Sequence, residues 1–374
     1  RAARTKFDAD EHFKERSRAR VVLIQGGDDE TRRLWRLLVN QSIAYLQEVY
    51  EKLDVLLTPE DVVGESFYNP MLDDVVTDLA AAGILEASDG AQVVFLPGFS
   101  NRDGEPLPLI VQKSDEGFGY AATDLAAVRD RVSALGAHEI LYVVGAPQAQ
   151  HFDMVWAAAR AAGWLPDAVR IEHVAFGNVL GPDRKMFKTR SGTTVKLVGL
   201  IDEATERALA QLNARESDMS DEERQRLALD LARAALKYAD LSTERQKDYV
   251  FDIDRMIAFE GDTGPYLAYA HARIRSIFRR LGETYVAHEV NWGLGDPAAR
   301  QLALGLLAFP EALEVMTKTL QPHRLCTYLF DLAQRFTSFY EACPVLSAEG
   351  ALRNERIALC DVSARTLALG LSLL

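Results

Sequence analysis

The chain has 374 residues, 48% hydrophobic and 26% charged, a balance typical of a globular protein with more than one domain. No run of about 18 apolar residues occurs, so no membrane span is expected, and the charged first residues do not resemble a secretory signal. The formal net charge of -13 is unusual for a nonspecific nucleic-acid binder, so any contact with RNA would need a local basic surface.

The first half of the sequence mixes helical and strand-like patterns. In chain order we predict helices at 28–56 and 71–86, β-like runs at 91–96, 107–111, 139–144 and 169–174, and a helix at 148–162 between the last two runs. A strand, a helix and a strand at this spacing are typical of a parallel α/β sheet. Ligands of such sheets bind beyond the carboxyl ends of the strands, here residues 145–151 and 173–177.

The second half of the sequence loses almost all strand-like alternation after Val195. The segment Ser220-Asp-Glu-Glu223 is a capping box that opens a helix running to Tyr238. Further helices are predicted at 266–281, 296–307, 310–317, 322–342 and 354–373. This half is therefore expected to be an α-helical bundle, with a clear boundary near 195–200 and a softer one near 240.

The cysteines are few and widely spaced, at positions 326, 343 and 360. An odd number without paired spacing indicates a reducing compartment rather than a disulfide framework. We expect buried thiols in helices, and the spacing does not match a zinc site.

A basic, turn-rich loop follows a β-like run at Gly181–Gly192. Four cations, Arg184, Lys185, Lys188 and Arg190, fall within seven residues, and Thr189 and Ser191 add hydroxyls. Such a loop can close on a polyphosphate, because lysines neutralise the charge of a transferring phosphoryl group. On composition alone, a solvated basic turn remains the alternative.

The order of residues in this loop resembles the KMSKS signature of class I aminoacyl-tRNA synthetases, with departures at Phe187 and Thr189. The run Phe-Lys-Thr-Arg-Ser-Gly, followed by Thr-Thr-Val-Lys-Leu, is similar to the form of the arginyl-tRNA synthetase family. The resemblance implies that Lys188 and Thr189 bind ATP and that Lys188 stabilises the leaving pyrophosphate. Lys185 and Arg190 are supporting candidates, Lys185 for catalysis.

Other segments are similar to the same family in the same order along the chain. They are Val62–Asn69, Val111–Asp115, Asp240–Asp254, Phe259–Tyr266 and a C-terminal stretch resembling the DALR anticodon-binding domain, with Asp361-Val-Ser-Ala-Arg365 at the signature position. The resemblance implies the second half of a catalytic domain with a Rossmann-like parallel sheet and an insertion (1–195). A helical connector (196–240) and an all-α anticodon-binding domain (241–374) would follow.

A substrate arginine needs a carboxylate to pair with its guanidinium. Tyr120 and Asp124 are four residues apart, which at the start of a helix places them on one face. The resemblance implies that these two residues and Gln148 form the arginine pocket. From the residues alone, Asp124 could equally be a first-turn acid that stabilises the helix, and His151 is open between a structural and a functional role.

The resemblance also places the adenosine of ATP against His173, Phe176 and Gly177. At Gly177 the absence of a side chain would let the backbone approach the ligand closely.

The most suggestive RNA-facing element is the helix that starts near Tyr266. Tyr269, Arg273 and Arg280 share one stripe, and an aromatic ring beside cations can stack on unpaired bases and hold phosphates. An ordinary amphipathic helix with arginine edges is the alternative. The apolar residues Ile274, Ile277 and Phe278 are expected to face the bundle.

The resemblance implies an arginine–tRNA ligase that activates L-arginine with ATP and transfers it to the 3′ end of tRNA(Arg). ATP with Mg²⁺ is a substrate, and no tightly bound cofactor or protein-bound metal is expected. A monomer in the cytoplasm is predicted. The second signature loop of the class, HIGH, does not occur in this sequence, so we expect part of a longer enzyme that is inactive alone. A truncated paralogue that binds only tRNA or a protein partner is the alternative.

Lys188 gives the sharpest prediction from the sequence. Replacing it with alanine in the full-length protein is expected to lower turnover roughly 100-fold or more, because a cation that faces the leaving pyrophosphate is lost. Steady-state aminoacylation measures the loss, and thermal melting should show almost no change because the loop is expected to be exposed. Near-normal turnover of the variant would refute the assigned role.

Overall fold

The computed structural model of the chain describes residues 2–185, 197–214, 218–282, 290 and 292–374. The chain divides into two compact units. Unit 1 comprises Arg1–Glu48 and Leu56–Ala175, and unit 2 comprises Val49–Val55 and Phe176–Leu374. Among the helices described, none combines the length and apolar character needed to cross a membrane.

Unit 1 begins with the helices α1 (Ala2–Ala9), α2 (Glu11–Gln25) and α3 (Asp29–Leu53), whose last residues belong to unit 2. α3 confirms the helix predicted at 28–56, whereas α1 and α2 were not predicted. α2 is marked by a cap rather than by apolar spacing. Asp10 accepts a hydrogen bond from the Phe13 N–H at 3.0 Å. Asp28 caps α3 in the same way, by accepting from the Thr31 N–H at 2.9 Å.

The remaining elements of unit 1 surround one hydrophobic core. They are 3₁₀ turns at Pro59–Asp61 and Glu65–Met71, α4 (Leu72–Ala81), β1 (Glu86–Ser88), β2 (Ala91–Ser100), β3 (Pro106–Gln112), α5 (Tyr120–Ser133), β4 (Glu139–Tyr142), a 3₁₀ turn at Ala146–Gln148, α6 (Ala149–Ala161) and β5 (Arg170–His173). α4 is shorter than the predicted helix at 71–86, because Gly83 adopts a φ of +69° and turns the chain away. Fully buried Leu79, Leu125 and Val155 join α4, α5 and α6 in this core.

The strands of unit 1 form two separate small sheets. β4 and β5, which are connected through α6, pair in parallel. This confirms the predicted strand–helix–strand unit. β1, β2 and β3 pair antiparallel, so the prediction of one Rossmann-like parallel sheet does not extend to the runs at 91–96 and 107–111. The connections decide this difference. Residues 89–90 connect β1 to β2 and residues 101–105 connect β2 to β3, whereas parallel neighbours would need a crossover of about a dozen residues or more.

Unit 2 is predominantly helical, as predicted. Its elements are β6 (Val179–Leu180), α7 (Leu197–Asn213), α8 (Asp221–Leu241), β7 (Tyr249–Val250), α9 (Ile253–Met256), α10 (Gly264–Leu281), α11 (Pro297–Leu307), α12 (Phe309–Thr319), α13 (His323–Ala342) and α14 (Gly350–Ser372). The short strands β6 and β7 pair in parallel. The predicted capping box is present at Ser220 and Glu223.

The three cysteines lie in the core of the bundle. Cys326 and Cys360 are in helices, as predicted, whereas Cys343 directly follows α13. Cys326, Cys343 and Cys360 are free and buried. Burial raises the pKa of Cys326 and of Cys360 to about 12, so both stay thiols at neutral pH. Their role in the described structure is therefore apolar packing.

The joint between α8 and α10 depends on the segment that precedes α10. Thr263 caps the helix by accepting a hydrogen bond from the Tyr266 N–H at 3.2 Å, and Pro265 occupies the first turn. Gly264 is so close to α8 that a Cβ there would lie 2.1 Å from the carbonyl oxygen of Ala234. The two helix backbones can meet at this point only because position 264 has no side chain.

This contact yields a stability prediction. Gly264→Ala is expected to lower the free energy of unfolding by about 3 kcal/mol or more, because the backbone atoms of α8 cannot move aside as a flexible side chain would. Gly199→Ala is the matched control: it lies in α7 with no atom within 4 Å, and alanine there should be neutral or slightly stabilising. Urea denaturation compares the two, and equal stabilities would contradict the close packing.

Candidate active site

The start of α5 carries two of the predicted arginine contacts. Gly119 precedes the helix in an extended conformation, and Tyr120 and Asp124 follow one turn apart on the same face. Tyr120 is 72% exposed and Asp124 is half-buried. Ala121 and Leu125, on another face, are buried in the core and fix the orientation of the helix. The face with Tyr120 and Asp124 is therefore held open to a ligand.

Asp124 contacts His151 in the first turn of α6. The His151 Nε2 atom lies 2.6 Å from the Asp124 Oδ2 atom, and the two side chains are 31% and 29% exposed. An ionised carboxylate can only accept, so the imidazole Nε2–H is the donor. One oxygen of Asp124 is engaged in this way, and the other keeps its capacity to accept from a ligand.

An open groove of about 370 Å³ lies beside this pair, within the size range of small-ligand pockets. Its walls come from β3, α5 and α6 and include residues 107–110, Tyr120, Ala121, His151 and Met154. The walls are mostly apolar, and Tyr120, Gln150 and His151 supply polar groups. This combination suits a ligand with an aliphatic stem and a polar end.

Phe152 connects the two histidines of the site. Its ring is buried, with the His151 ring centroid 5.3 Å away and the His173 ring centroid 5.6 Å away. The His173 Nε2–H donates to the carbonyl oxygen of Val144 at 2.9 Å, which leaves Nδ1 as an acceptor. The ends of β4 and β5 and the first turn of α6 thus meet, as the sequence predicted.

Gln148 lies in this turn but is exposed, and the structure does not bring its side chain into a contact with Asp124. Its backbone N–H donates to the Gly145 carbonyl at 3.1 Å, which closes the 3₁₀ turn before α6.

Behind the turn, burial raises the pKa of Tyr142, whose hydroxyl accepts from Arg131 at 2.8 Å. The phenol is therefore neutral, and the Asp124 carboxylate nearby acts on its pKa in the same direction.

Phe176 and Gly177 belong to unit 2, and Phe176 is exposed. The Gly177 N–H donates to the Arg245 carbonyl at 2.7 Å, and a Cβ at position 177 would lie 2.7 Å from the Lys247 carbonyl oxygen. The close approach that requires glycine is thus made by the chain's own backbone, which differs from the expected approach of a ligand. A contact with ATP at these two residues stays a prediction.

β6 leads directly into the basic loop. The segment 245–248, which packs against Gly177, also contacts the residue before β6. Asp248 accepts from the Asn178 backbone N–H at 2.6 Å, and the Gly181 N–H donates to the Lys185 carbonyl at 2.9 Å. Lys185 is exposed in this turn. The other loop candidates lie outside the described residues: Lys188, Thr189 and Arg190. The described part of the chain shows how the first stem of the loop is fixed.

The predicted RNA-facing stripe lies on α10. Tyr269 is half exposed, with its ring edge-on to Phe259 at 6.4 Å. The Arg273 guanidinium lies 4.6 Å from the centroid of the Tyr340 ring, a cation–π geometry, and Arg280 is exposed. Another face of α10 is buried, as predicted, and carries Ile274, Ile277 and Phe278.

Two families match the chain, one after the other. The first is described as tRNA synthetases class I (R), catalytic domain, and matches residues 1–253. The second, the DALR anticodon binding domain, matches residues 267–374. The chain belongs to the arginyl-tRNA synthetase family.

Individual members of this family match over the whole chain. An arginine–tRNA ligase of Frankia casuarinae is 52% identical over 374 residues, which are 100% of this chain and 63% of that protein. An arginine–tRNA ligase of Thermobifida fusca is 54% identical, and the match covers 65% of that protein. The crystal structure of the arginyl-tRNA synthetase from Plasmodium falciparum has a TM-score of 0.82 at 30% identity and covers 97% of this chain and 61% of that one. The chain therefore spans just under two thirds of these relatives.

Two contacts in this arginyl-tRNA synthetase family member were not apparent from the sequence. His151 is 27 residues from Asp124, and Lys247 is 70 residues from Gly177, so no local pattern pairs them. The only sequence signal for His151 was its position on the helical face of Gln148. For the segment at 245–248 there was a family resemblance but no indication of what it contacts.

The stem of the basic loop gives a prediction. Gly177→Ala is expected to lower the free energy of unfolding by about 2 kcal/mol, because the added Cβ collides with the backbone of Lys247 and Asp248. The control Gly145→Ala would bring its Cβ no nearer than 3.7 Å to another atom and should change stability much less. Chemical denaturation measures both variants, and an equal loss of stability would contradict this explanation of Gly177.

Proposed function

We propose that the chain is the part of an arginine–tRNA ligase that recognises the guanidinium of L-arginine and the phosphates of ATP. The observation that carries this proposal is the contact of the Asp124 carboxylate with His151, which together with Tyr120 lines the groove. A guanidinium has N–H donors in a planar fork and pairs best with a carboxylate. Membership of the arginyl-tRNA synthetase family supports the same assignment.

The shape of the groove agrees with the shape of the substrate. Its apolar walls at residues 107–110 and Met154 can pack against the methylene stem of arginine. Tyr120 lies one helical turn before Asp124, so its ring can cover the guanidinium. Gln148, exposed in the turn between β4 and α6, is the third contact that we propose, and its amide can bind the polar groups of the amino acid.

The proposed reaction has two steps. An oxygen of the arginine carboxylate attacks the α-phosphorus of ATP, and the bond to the bridging oxygen breaks. Pyrophosphate leaves with the electron pair, and Lys188, with Lys185 in support, neutralises its charge. A ribose hydroxyl of the tRNA(Arg) 3′ end then attacks the carbonyl of arginyl-adenylate and releases AMP. The protein acts by positioning reactants and neutralising charge.

The residues proposed to contact the adenosine of ATP lie within the segment 173–177. His173, whose Nδ1 can accept a hydrogen bond, would face the adenosine together with Phe176 and Gly177. Thr189 would join Lys188 at the phosphates. ATP enters with Mg²⁺ as a substrate complex, and no tightly bound cofactor is proposed.

The finer architecture is also a proposal. The β4–α6–β5 unit would belong to the Rossmann-like parallel sheet of a class I catalytic domain. The domains would be 1–195, a connector at 196–240 and an anticodon-binding domain at 241–374, in which Tyr269, Arg273 and Arg280 contact tRNA(Arg). A monomer in the cytoplasm stays a prediction.

The full-length protein tests the function by ATP–pyrophosphate exchange in the presence of tRNA(Arg). We expect exchange with L-arginine and none with citrulline or lysine, and we expect the 374-residue chain alone to be inactive. Asp124→Asn should raise the KM for arginine about 30-fold or more, because the guanidinium loses its charged partner. Asp130→Asn, on another face of α5, should change this KM little.

The outcomes separate the candidate functions. Exchange driven equally well by another amino acid would overturn the arginine assignment. Absence of exchange together with tight binding of tRNA would favour the non-catalytic paralogue.

A further inference from the structure

We propose that His151 is a positioning residue for substrate arginine: it holds one carboxylate oxygen of Asp124 and keeps the other for the guanidinium. The inference rests on the proposed function, because it assigns a role within the same pocket. It starts from the 2.6 Å contact between His151 Nε2 and Asp124 Oδ2.

His151 is itself fixed from two sides. It lies in the first turn of α6, directly after the 3₁₀ turn that follows β4, so its backbone is set by regular elements. Its ring packs edge-on against the buried Phe152, with an interplanar angle of 65°. A donor held by a helix and a core aromatic can define the direction of its hydrogen bond.

Asp124 needs such a partner because the carboxylate has a soft rotation about its last bond. It is about 30% exposed and would otherwise sample several orientations in water. Fixing one orientation before arginine arrives removes part of the ordering cost from the binding step. The contact is therefore expected to strengthen arginine binding.

The chemistry of the donor matters as much as its position. A lysine or arginine at position 151 would neutralise Asp124 and compete with the guanidinium of the substrate. The imidazole Nε2 donates a single hydrogen bond to one carboxylate oxygen, whereas a guanidinium fork could occupy both oxygens. Histidine thus orients the carboxylate while preserving its attraction for a cation.

A role in proton transfer is not needed to explain His151. The arginine carboxylate that attacks ATP is already ionised at neutral pH, so the activation step requires no general base. His151 contacts the residue that would bind the far end of the substrate, and its effect should therefore appear in arginine binding rather than in the chemical step.

The experiment compares His151→Leu with His151→Gln in the full-length protein, using arginine-dependent ATP–pyrophosphate exchange with tRNA(Arg). Leucine removes the donor, and we expect the KM for arginine to rise about tenfold, with kcat and the KM for ATP within about twofold. Glutamine places an amide N–H donor at the same reach and should restore most of the affinity. His138→Leu, at an exposed histidine before β4, is the matched control.

The results distinguish the two levels of the proposal. Wild-type protein without arginine-dependent exchange would defeat the proposed function, and the role of His151 with it. An active wild type with an unchanged arginine KM in His151→Leu would overturn the positioning role alone. The positioning role would also be overturned if the leucine and glutamine variants shared a lower kcat, higher KM values for arginine and ATP, and a lower melting temperature. That pattern indicates a purely structural histidine.

Discussion

The contact between Asp124 and His151 is the constraint on which the candidate pocket depends. It joins the first turn of α5 to the first turn of α6, and both helices are anchored in the same core by residues such as Leu125 and Val155. Phe152 extends the connection to His173 at the end of β5. The carboxylate proposed to bind arginine and the histidine proposed to contact adenosine thus belong to the same compact unit. A shared core suits the proposed reaction, in which the protein mainly positions its substrates.

In unit 2, glycines provide the equivalent constraint, because they allow backbones to meet without side chains between them. Gly264 lets α10 rest on the Ala234 carbonyl of α8, and Gly177 lets the stem of the basic loop rest on Lys247. Asp248 and Asn178 add hydrogen bonds beside the second of these contacts. The described stem of the loop is therefore fixed by main-chain packing, while the cations that would meet ATP belong to the loop itself.

Although the chain has a net charge of -13, its helical bundle carries arginines that could form a local basic surface. Cations of the bundle have different roles. Arg335 donates to the Gln301 carbonyl and side chain and thereby joins α13 to α11, so its function in the fold is structural. Arg273, in contrast, stacks on Tyr340 on the same stripe as Tyr269 and Arg280. The stripe on α10 thus remains the candidate for RNA contact.

The sequence by itself determined the helical elements with strong apolar periodicity, the parallel β4–α6–β5 unit, the buried cysteines and the family. These depend on local patterns or on ordered motifs, which a single chain displays directly. It did not reveal α1, nor α2, which is marked by a cap, nor the antiparallel pairing of β1 to β3, which the short connections decide. Only the tertiary structure paired His151 with Asp124 and Lys247 with Gly177. Those contacts join residues far apart in the chain, and the packing of whole elements, rather than any local preference, brings them together.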